Sequence, residues 1–479
     1  MTARRIASRT GCTCARRERR SSPPGSWPTW QPASTASPRH RRPPGWSDPG
    51  PPTSATTPRR APARRSADAG ARRRHGPPPQ RHAGLASAPV NGGGATTGTT
   101  APTATHGRTI TYEPGLDGLR AVSVAGVLFF HACATSGLDG WFRGGNLGVS
   151  VFFTLSGFLI TTLLLTEHHR DGRVDLGRFW TRRIRRLVPA SLTVVVAVTL
   201  LSTTSWFDLR RADAWAALAS VTNWHVIAGG EARLLQTIVG PLGPTWSLGV
   251  EEQAYLVLGF GAWWATRLAR PARAMAIGAG AVVVVSVVVA NVVSTWSPRL
   301  EFGTDVRAAE IAVGCLLAVA LRERRAWIDA HARVLDVAGA AALAAMVVAF
   351  LTAGTAPWLL RGGHAALALV WAVAITSVLA HGRVHRSLAL VPFVAVGRWS
   401  YSLYLVHWPV FLVLSPERTG IDGVALVAVK IAVATAVAVA LHLLVEQPLR
   451  ASTASTRTTV TAWLATSVAA GVLAAVVLA

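Results

Sequence analysis

The chain has 479 residues, half of them hydrophobic, and only 15% are charged. Soluble proteins carry about a quarter charged residues, so this composition argues against an ordinary soluble protein. The net charge of +25 is unevenly distributed, because nineteen arginines against three acidic residues give positions 1–108 a formal charge of +16. No aromatic-interleaved basic face or nucleic-acid-binding motif accompanies this charge, which argues against a nucleic-acid partner.

Positions 1–108 are rich in Arg, Pro, Ser, Gly, Ala and Thr and show no apolar periodicity. Such a segment buries too little surface to offset the entropy of ordering it, so we predict a disordered N-terminal tail. It lacks the apolar stretch of a signal peptide, and a misplaced start codon is an alternative origin. The four cysteines show neither disulfide nor metal-ligand spacing, and we expect no metal. They are Cys12, Cys14, Cys133 and Cys315.

Long apolar runs follow the tail, such as Ala274 to Val293 and Val424 to Val445. Runs of about 20 apolar residues are long enough to cross a bilayer. We therefore predict an all-α, polytopic transmembrane helix bundle with ten core spans and an eleventh, C-terminal span. The predicted spans lie near 118–136, 146–166, 187–206, 244–266, 274–293, 305–321, 334–352, 364–380, 393–414, 424–446 and 459–479.

The distribution of arginine orients these spans and decides the status of one further segment, 212–228. With the N-terminus in the cytoplasm, the loop 167–186 is cytoplasmic and carries seven arginines. If 212–228 is re-entrant or interfacial, every later basic cluster also falls on the cytoplasmic side. If it spans the membrane, the first two of those clusters fall outside. We therefore predict that 212–228 is re-entrant or interfacial. The later basic clusters lie at 267–273, 322–325, 383–386 and 450–457.

Two polar residues of the first span, Arg120 and His131, are eleven positions apart. This spacing corresponds to about three helical turns and 16 Å of rise, which puts both on one face. Arg120 is expected at the cytoplasmic mouth and His131 halfway across the membrane. An ionisable group there costs about 2.5–3.5 kcal/mol to insert, which points to function. An imidazole suits proton abstraction from a hydroxyl group; the alternative is a packed histidine with a hydrogen-bond partner.

Four arginines stand close together in FWTRRIRRLVP at the start of the third span, among them Arg182 and Arg186. These two share a helix face at i and i+4 and could grip a phosphate bidentately. The segment thus indicates an anion site for a phosphorylated ligand. Topology signalling or binding of anionic lipid is the alternative.

The segment GPTWSLGVEEQAYL places Ser247, Glu251 and Tyr255 on one face of the fourth span. Adjacent carboxylates within a span are costly unless they are paired. We expect Glu251 either to orient a catalytic imidazole or to bind acceptor hydroxyl groups. Structural pairing with another helix is the alternative.

Two further spans carry polar groups within apolar surroundings. Arg307 and Glu310 stand three positions apart, and mutual neutralisation is an alternative to a functional role. In GRWSYSLYLVHWPV, Ser400, Tyr404 and His407 form one polar face. For His407 the alternative is packing in the aromatic belt near the outer interface.

Seven strings in this chain, taken together, resemble the acyltransferase 3 family, the bacterial transmembrane O-acyltransferases of the O-antigen and peptidoglycan acetylase type. The resemblance runs from about 113 to 450 in the family's order and covers every core span. The strings are GLDGLRAVSVAGVLFFH, GVSVFFTLSGFLIT, FWTRRIRRLVPA, PTWSLGVEEQAYL, FGTDVRAAEIAVG, GRWSYSLYLVHWP and VEQPLR.

The resemblance assigns roles to residues of this chain. The arginine and histidine of the family's first span match Arg120 and His131. Its Arg-x-x-x-Arg pair matches Arg182 and Arg186, as binding residues for the donor. Its Trp-Ser-Leu-x-x-Glu element matches the residues Trp246, Ser247 and Glu251. The resemblance thus implies catalytic roles for His131 and Glu251, with the other polar residues contacting the acceptor or supporting the structure.

The resemblance also implies the activity and its surroundings. We expect an O-acyltransferase of the bacterial inner membrane that uses cytoplasmic acyl-CoA, usually acetyl-CoA, as co-substrate and holds no tightly bound cofactor. The acceptor would be a hydroxyl group of an envelope glycan, a glycolipid or a secreted metabolite. A transporter or flippase using the same buried polar residues is the alternative, although no inverted repeat is visible.

Some members of the family carry an extracytoplasmic hydrolase-like domain after an eleventh span. We expect residues 109–450 to form the acyltransferase domain, and 451–479 to form a linker and an additional span. The chain stops at Ala479. Transfer is then completed by the membrane core or by a separate extracytoplasmic partner, unless the chain is truncated.

Overall fold

The structure is a computed structural model that describes residues 112–478, apart from 205, 294–297 and 355. For 231–237 and 239 it describes the backbone alone. The predicted N-terminal tail, 1–108, with Cys12 and Cys14, lies outside the described residues. Within the described part the secondary structure is entirely helical, as the sequence predicts.

Eleven helices correspond to the eleven predicted spans. We label them in chain order α1 (Pro114–Ala134), α2 (Gly148–Asp171), α3 (Leu176–Leu201), α4 (Thr245–Ala265), α5 (Pro271–Val292), α6 (Thr304–Leu321), α7 (Ala332–Thr352), α8 (His364–Leu379), α9 (Val391–Val413), α10 (Gly423–Leu441) and α11 (Thr456–Val477). Shorter helices and helical turns connect them, at Gly145–Leu147, Arg211–Leu218, Thr222–Val239, Pro298–Phe302, Arg325–Ala330, Leu359–Gly363, Arg383–Leu388, Pro416–Thr419, His442–Glu446 and Gln447–Arg450.

Helix α3 begins at Leu176, eleven residues before the predicted span. Asp175 caps it, and its side chain accepts the backbone N–H of Arg178 at 3.0 Å. The four arginines of this segment therefore lie within the helix and face different neighbours. A hydropathy window cannot detect this start, because the first turns are amphipathic.

The surface of the bundle is that of a multi-pass membrane protein. Among the described residues, eight helices are long and apolar enough to cross a membrane; α4, α6 and α9 are not among them. Helices α5 and α7 expose valine-rich faces. Apolar surfaces of this kind are typical of contact with lipid and not with water. The number of spans, ten plus one, stays a prediction.

The segment 212–228 is not one continuous helix. It is divided between Arg211–Leu218 and the helix that begins at Thr222, with Ser220 at a φ of 56° between them. The second of these helices is itself bent at Gly230. The eight residues of Arg211–Leu218 are too few to cross a bilayer core, which requires about 20 residues of helix.

Small residues let the central helices approach closely. Helix α2 packs most extensively on α6, and α1 on α9. A Cβ added at Gly157 of α2 would collide with the carbonyl oxygen of Ile311, and one at Gly314 of α6 with that of Thr154. Close approach of this kind is the usual source of helix association in lipid. It brings the polar faces of α1, α2, α4 and α9 together in the bundle interior.

Candidate active site

One end of the bundle contains a cavity of about 1010 Å³, which we call the wide cavity. It lies between the first halves of α1 and α9, the second halves of α2 and α6, and residues 442–451. Its size is at the upper end of the range for small-molecule sites. Arginines outnumber carboxylates in its lining, which favours an anionic ligand. The arginines are Arg120, Arg186, Arg322, Arg325, Arg398 and Arg450.

Arg120 is held in place by Asp117, which accepts from its Nη1 at 2.9 Å. Asp117 also accepts from the hydroxyl of Tyr112 at 2.7 Å, and Arg398 donates to that hydroxyl at 3.1 Å. Burial and then the bond to Asp117 raise the pKa of Tyr112, which stays protonated at neutral pH. The chain of contacts holds the Arg120 guanidinium at the cavity wall.

The arginines of α3 divide between two environments. Arg186 lines the wide cavity, whereas Arg182 pairs with buried Glu167 at 2.8 Å. Arg183, which sequence analysis did not single out, stacks over the ring of Tyr255 with its guanidinium carbon 4.6 Å from the centroid. The expected joint action of Arg182 and Arg186 is therefore not seen. Arg183 and Arg186 are the two arginines of α3 that point inward.

A narrower cavity of about 80 Å³ continues inward and shares Arg120, Arg186 and Tyr401 with the wide cavity. We call it the inner cavity. In it, Glu251 accepts from the hydroxyl of Ser156 at 2.6 Å, and Tyr255 donates to that same hydroxyl at 3.2 Å.

The inner cavity ends at a second hydrogen-bonded pair, between α4 and α9. The hydroxyls of Ser247 and Tyr404 are 2.6 Å apart, and Tyr404 also donates to the carbonyl oxygen of Pro244 at 3.0 Å. Trp246, next to Ser247, instead packs edge-on against Phe302 at 5.0 Å between ring centroids. Ser247, Glu251, Tyr255 and Tyr404 thus meet in one polar cavity, and Trp246 lies outside its lining.

Behind Tyr404 lies a pair of histidines, His131 of α1 and His407 of α9. Nε2 of His407 is 3.2 Å from Nδ1 of His131, and Nδ1 of His407 is 2.7 Å from the carbonyl oxygen of Tyr404. His407 is fully buried, and the ring of Trp408 lies 5.0 Å from that of His131. The interpretation of His407 as an aromatic-belt residue is wrong, because its ring faces the interior.

The direction of these hydrogen bonds follows from the carbonyl group, which can only accept. Nδ1 of His407 therefore carries a proton, and in the neutral ring Nε2 is an acceptor. It follows that Nδ1 of His131 is the donor. The remaining nitrogen of His131, Nε2, then bears the lone pair.

His131 lies in the last turn of α1, and Arg120 is the seventh of its 21 residues. Glu251 bonds with Ser156, not with His131, whose ring is oriented by His407 instead. The two cavities reach Tyr404 and do not include His131 in their linings.

Arg307 and Glu310 form a separate buried network on α6. Nε of Arg307 lies 2.8 Å from Glu310, so the two do neutralise each other. Arg307 also donates to Ser150 at 3.2 Å, and Ser150 lies 3.3 Å from Nδ1 of His364. Sequence analysis missed Ser150 and His364. Because the same nitrogen of His364 faces Ser150 and Glu310, the trio lacks the two-sided geometry of a Ser-His-acid triad.

Lys430 of α10 is the other important residue that sequence analysis missed. Its side chain is fully buried, and Nζ donates to Thr135 O at 2.6 Å, Thr135 Oγ1 at 2.7 Å and Ser136 Oγ at 3.1 Å. Thr135 in turn donates to the carbonyl oxygen of His131 at 2.7 Å. The ammonium group thus caps the C-terminal end of α1, where a cation is favoured, one turn after the histidine.

Comparison with known protein families identifies the class to which this helical membrane protein belongs. Residues 113–443 match the acyltransferase 3 family, described as an acyltransferase domain, and the chain belongs to that family. It is 32% identical over 317 residues to the O-acetyltransferase OatA of Staphylococcus aureus strain NCTC 8325 / PS 47, covering 63% of this chain and 51% of that protein.

A second relative is the peptidoglycan O-acetyltransferase OatA of Listeria monocytogenes serovar 1/2a, 31% identical over 328 residues, covering 64% of this chain and 50% of that protein. The chain therefore spans about half the length of these curated relatives. No solved structure matches it.

Proposed function

We propose that this chain is a membrane O-acyltransferase that moves an acyl group, in the first instance acetyl, from acyl-CoA to a hydroxyl group of an envelope glycan. The observation that carries the proposal is the hydrogen bond between His131 and His407, whose direction leaves the lone pair on Nε2 of His131. Membership of the acyltransferase 3 family and the names of the relatives support the same class of reaction.

The donor would bind at the basic end of the bundle. The phosphates of CoA would lie in the wide cavity against Arg120, Arg186 and Arg450, since guanidinium groups bind phosphate through paired hydrogen bonds. The thioester would then reach through the inner cavity toward Ser247 and Tyr404. Arg182 would pair with Glu167 and would not contact the phosphates directly.

The chemistry would take place at the far end of this path. Nε2 of His131 removes the proton from the acceptor hydroxyl as its oxygen attacks the thioester carbonyl carbon. The C–S bond then breaks, and the departing sulfur of CoA takes that proton from His131 and leaves as the thiol. His407 stabilises the resulting imidazolium by accepting from its Nδ1–H, and so acts as a positioning residue. The acyl group could instead rest on His131 before transfer to the acceptor.

The acceptor would approach from the end of the bundle opposite the arginines, where His131 lies. One relative is named for peptidoglycan, so a peptidoglycan hydroxyl is the acceptor class we place first. A glycolipid or a secreted metabolite with a free hydroxyl would satisfy the same chemistry.

The arginine-rich loops support a cytoplasmic N-terminus in the inner membrane. The wide cavity is lined by residues of the predicted cytoplasmic segments, including His169, Arg322 and Arg450. We assign 109–450 to the acyltransferase domain and 451–479 to a linker and a further span. Arg185 contacts the backbone of that linker at Ser452 and Ala454.

Mass spectrometry of envelope glycans and lipids tests the proposal directly. Cells with the gene deleted should lose an acyl mass on one glycan class, and the wild-type gene, but not His131→Gln, should restore it. Restoration by His131→Gln would contradict the mechanism. An unchanged set of masses with altered export of an unmodified compound would instead indicate a transporter.

A further inference from the structure

A cluster of metal-ligating side chains lies beside the wide cavity, at the opposite end of α1 from His131. Glu113, His381 and His385 each offer a ligand atom, and these three atoms lie within 4.8 Å of one another. Glu113 caps the start of α1, and the two histidines flank the start of the Arg383–Leu388 helix. Two imidazoles and a carboxylate are a donor set that suits zinc-like divalent cations.

The spacing of the cluster is close to what one ion requires. Nε2 of His381 is 3.7 Å from Oε1 of Glu113, and the two imidazole ring centroids are 4.5 Å apart. Two ligands about 2.0–2.2 Å from one tetrahedral zinc ion stand a little over 3 Å apart. The separation of Glu113 and His381 is therefore within about 0.5 Å of what one ion requires, and all three ligand atoms lie within 4.8 Å of one another.

A hydrogen bond sets the tautomer of His385. Its Nδ1 lies 3.0 Å from the carbonyl oxygen of Val378, so Nδ1 carries the proton and Nε2 holds the free lone pair. An N–H bond to a backbone carbonyl is the usual outer support of a metal-bound imidazole. Gly115 allows the ring this close to α1, because an added Cβ there would lie 3.1 Å from Nδ1.

The backbone carrying His381 is held in a conformation that few side chains adopt. His381 has a φ of 52°, which costs a residue other than glycine of the order of 1 kcal/mol or more. Three residues later, Asp336 accepts the N–H of Val384 at 2.8 Å and fixes the start of the Arg383–Leu388 helix. The loop therefore presents the His381 ring toward Glu113 at the cost of local strain.

Positive charge near the cluster lowers its affinity for a cation but does not prevent binding. Arg325 is bound to Asp329 at 3.0 Å and to the carbonyl oxygen of Leu379 at 3.0 Å, so its nearby charge is partly compensated. His381 is 41% exposed, which leaves an open path for an ion and a position for water. Three protein ligands and a water form an exchangeable site, in contrast to a closed structural one.

We propose that Glu113, His381 and His385 bind one zinc-class divalent cation. The ion joins the N-terminal end of α1 to the start of the Arg383–Leu388 helix, through ligands as far apart in sequence as Glu113 and His381, which are 268 positions apart. Glu113 also lines the wide cavity, so occupation of the site fixes one wall of that cavity. The site is independent of the acyl-transfer chemistry and does not require it.

Cobalt titration of the full chain in detergent tests this proposal, because tetrahedral Co²⁺ absorbs visibly and zinc displaces it. The protein is purified through an affinity tag that contains no histidine. We expect one saturable site, with affinity lowered at least roughly tenfold in His381→Gln and in His385→Gln. His331→Gln is the matched control, since that ring stacks on Trp327 away from the cluster, and it should bind as the wild type does.

A second readout separates loss of the site from loss of the fold. Zinc should raise the melting temperature of the wild type and of His331→Gln but leave that of His381→Gln unchanged, since only a bound ligand stabilises the folded state. Wild-type cobalt affinity in His381→Gln and His385→Gln would overturn the proposal. So would the absence of any saturable binding to the wild type.

Discussion

The direction of one hydrogen bond decides which nitrogen of His131 can act as a base. The carbonyl of Tyr404 requires a proton on Nδ1 of His407, which leaves Nε2 of His407 to accept from His131. The two histidines are 276 positions apart and each is the single histidine of its helix, so spacing could not pair them. The sequence does identify both as costly polar groups, and the tertiary contact shows how each satisfies the other in the bundle interior.

Replacing His407 tests this orientation. His407→Phe removes the acceptor for His131 Nδ1, and we expect single-turnover acyl transfer to fall by roughly 10- to 100-fold, as loss of an orienting partner usually does. Acyl-CoA affinity should not change. His407→Gln, whose amide oxygen can still accept, should recover part of the rate. Equal rates in all three proteins would show that the contact has no catalytic role.

The arginines of α3 are a second example in which the sequence predicts part of the observed contacts. Helical spacing correctly places Arg182 and Arg186 on one side of α3, but Glu167 from the end of α2 takes Arg182. The spacing of residues within α3 cannot reveal the contact with Glu167, because that carboxylate comes from another helix. Arg186 retains the position in the cavity wall.

Substituting these arginines separately distinguishes their roles. Arg186→Ala should weaken acyl-CoA binding by roughly 10- to 100-fold, since a hydrogen bond to a charged group contributes about 1.5–3 kcal/mol. Arg182→Ala should leave the affinity unchanged and lower the melting temperature, because Glu167 is left buried without its partner. Equilibrium binding of labelled acyl-CoA measures the first effect, and the reverse ranking would contradict the assignment.

At the scale of elements, apolar run length predicts the eleven helices well. Boundaries are less accurate where a helix starts with charged residues, as α3 does, because those residues look like a loop. Lys430 shows the opposite limitation. One cation in the apolar run of α10 barely changes its hydropathy, so its contacts with Thr135 and Ser136 were invisible in the sequence.

Lys430→Met removes the donor that caps the end of α1 while keeping an unbranched side chain. We expect the last turn of α1 to open more often, because the Thr135 carbonyl loses its partner. Hydrogen–deuterium exchange of residues 131–136 should become faster, with no change in α5. Unchanged exchange would show that the turn is held by packing alone.

The crossing of α2 and α6 depends on a glycine without room for a side chain. Gly157→Ala should lower the melting temperature of the detergent-solubilised protein, because the new methyl group meets the Ile311 carbonyl. Gly278→Ala on α5 is the matched control, since open space surrounds it. That change should be neutral or stabilise by about 0.5–1 kcal/mol, as alanine does in a helix. Equal effects at both positions would contradict the packing.

At the scale of the whole molecule, the two ends of the bundle have different chemistry. Arginines surround the wide cavity at one end, and the basic nitrogen of His131 lies near the other. Helix α1 joins the ends, with Arg120 and His131 about 16 Å apart along its axis. Such an arrangement suits an enzyme that receives its donor on one side of a membrane and acylates an acceptor on the other.

Sealed, inside-out membrane vesicles test this central claim most directly. Labelled acetyl-CoA is supplied outside, where the proposed orientation puts the arginine-lined end, and muropeptides are enclosed in the lumen. The account predicts labelled muropeptides with the wild-type chain and roughly 10²- to 10⁴-fold slower labelling with His131→Gln, the usual contribution of general base catalysis. Wild-type labelling by His131→Gln would contradict it.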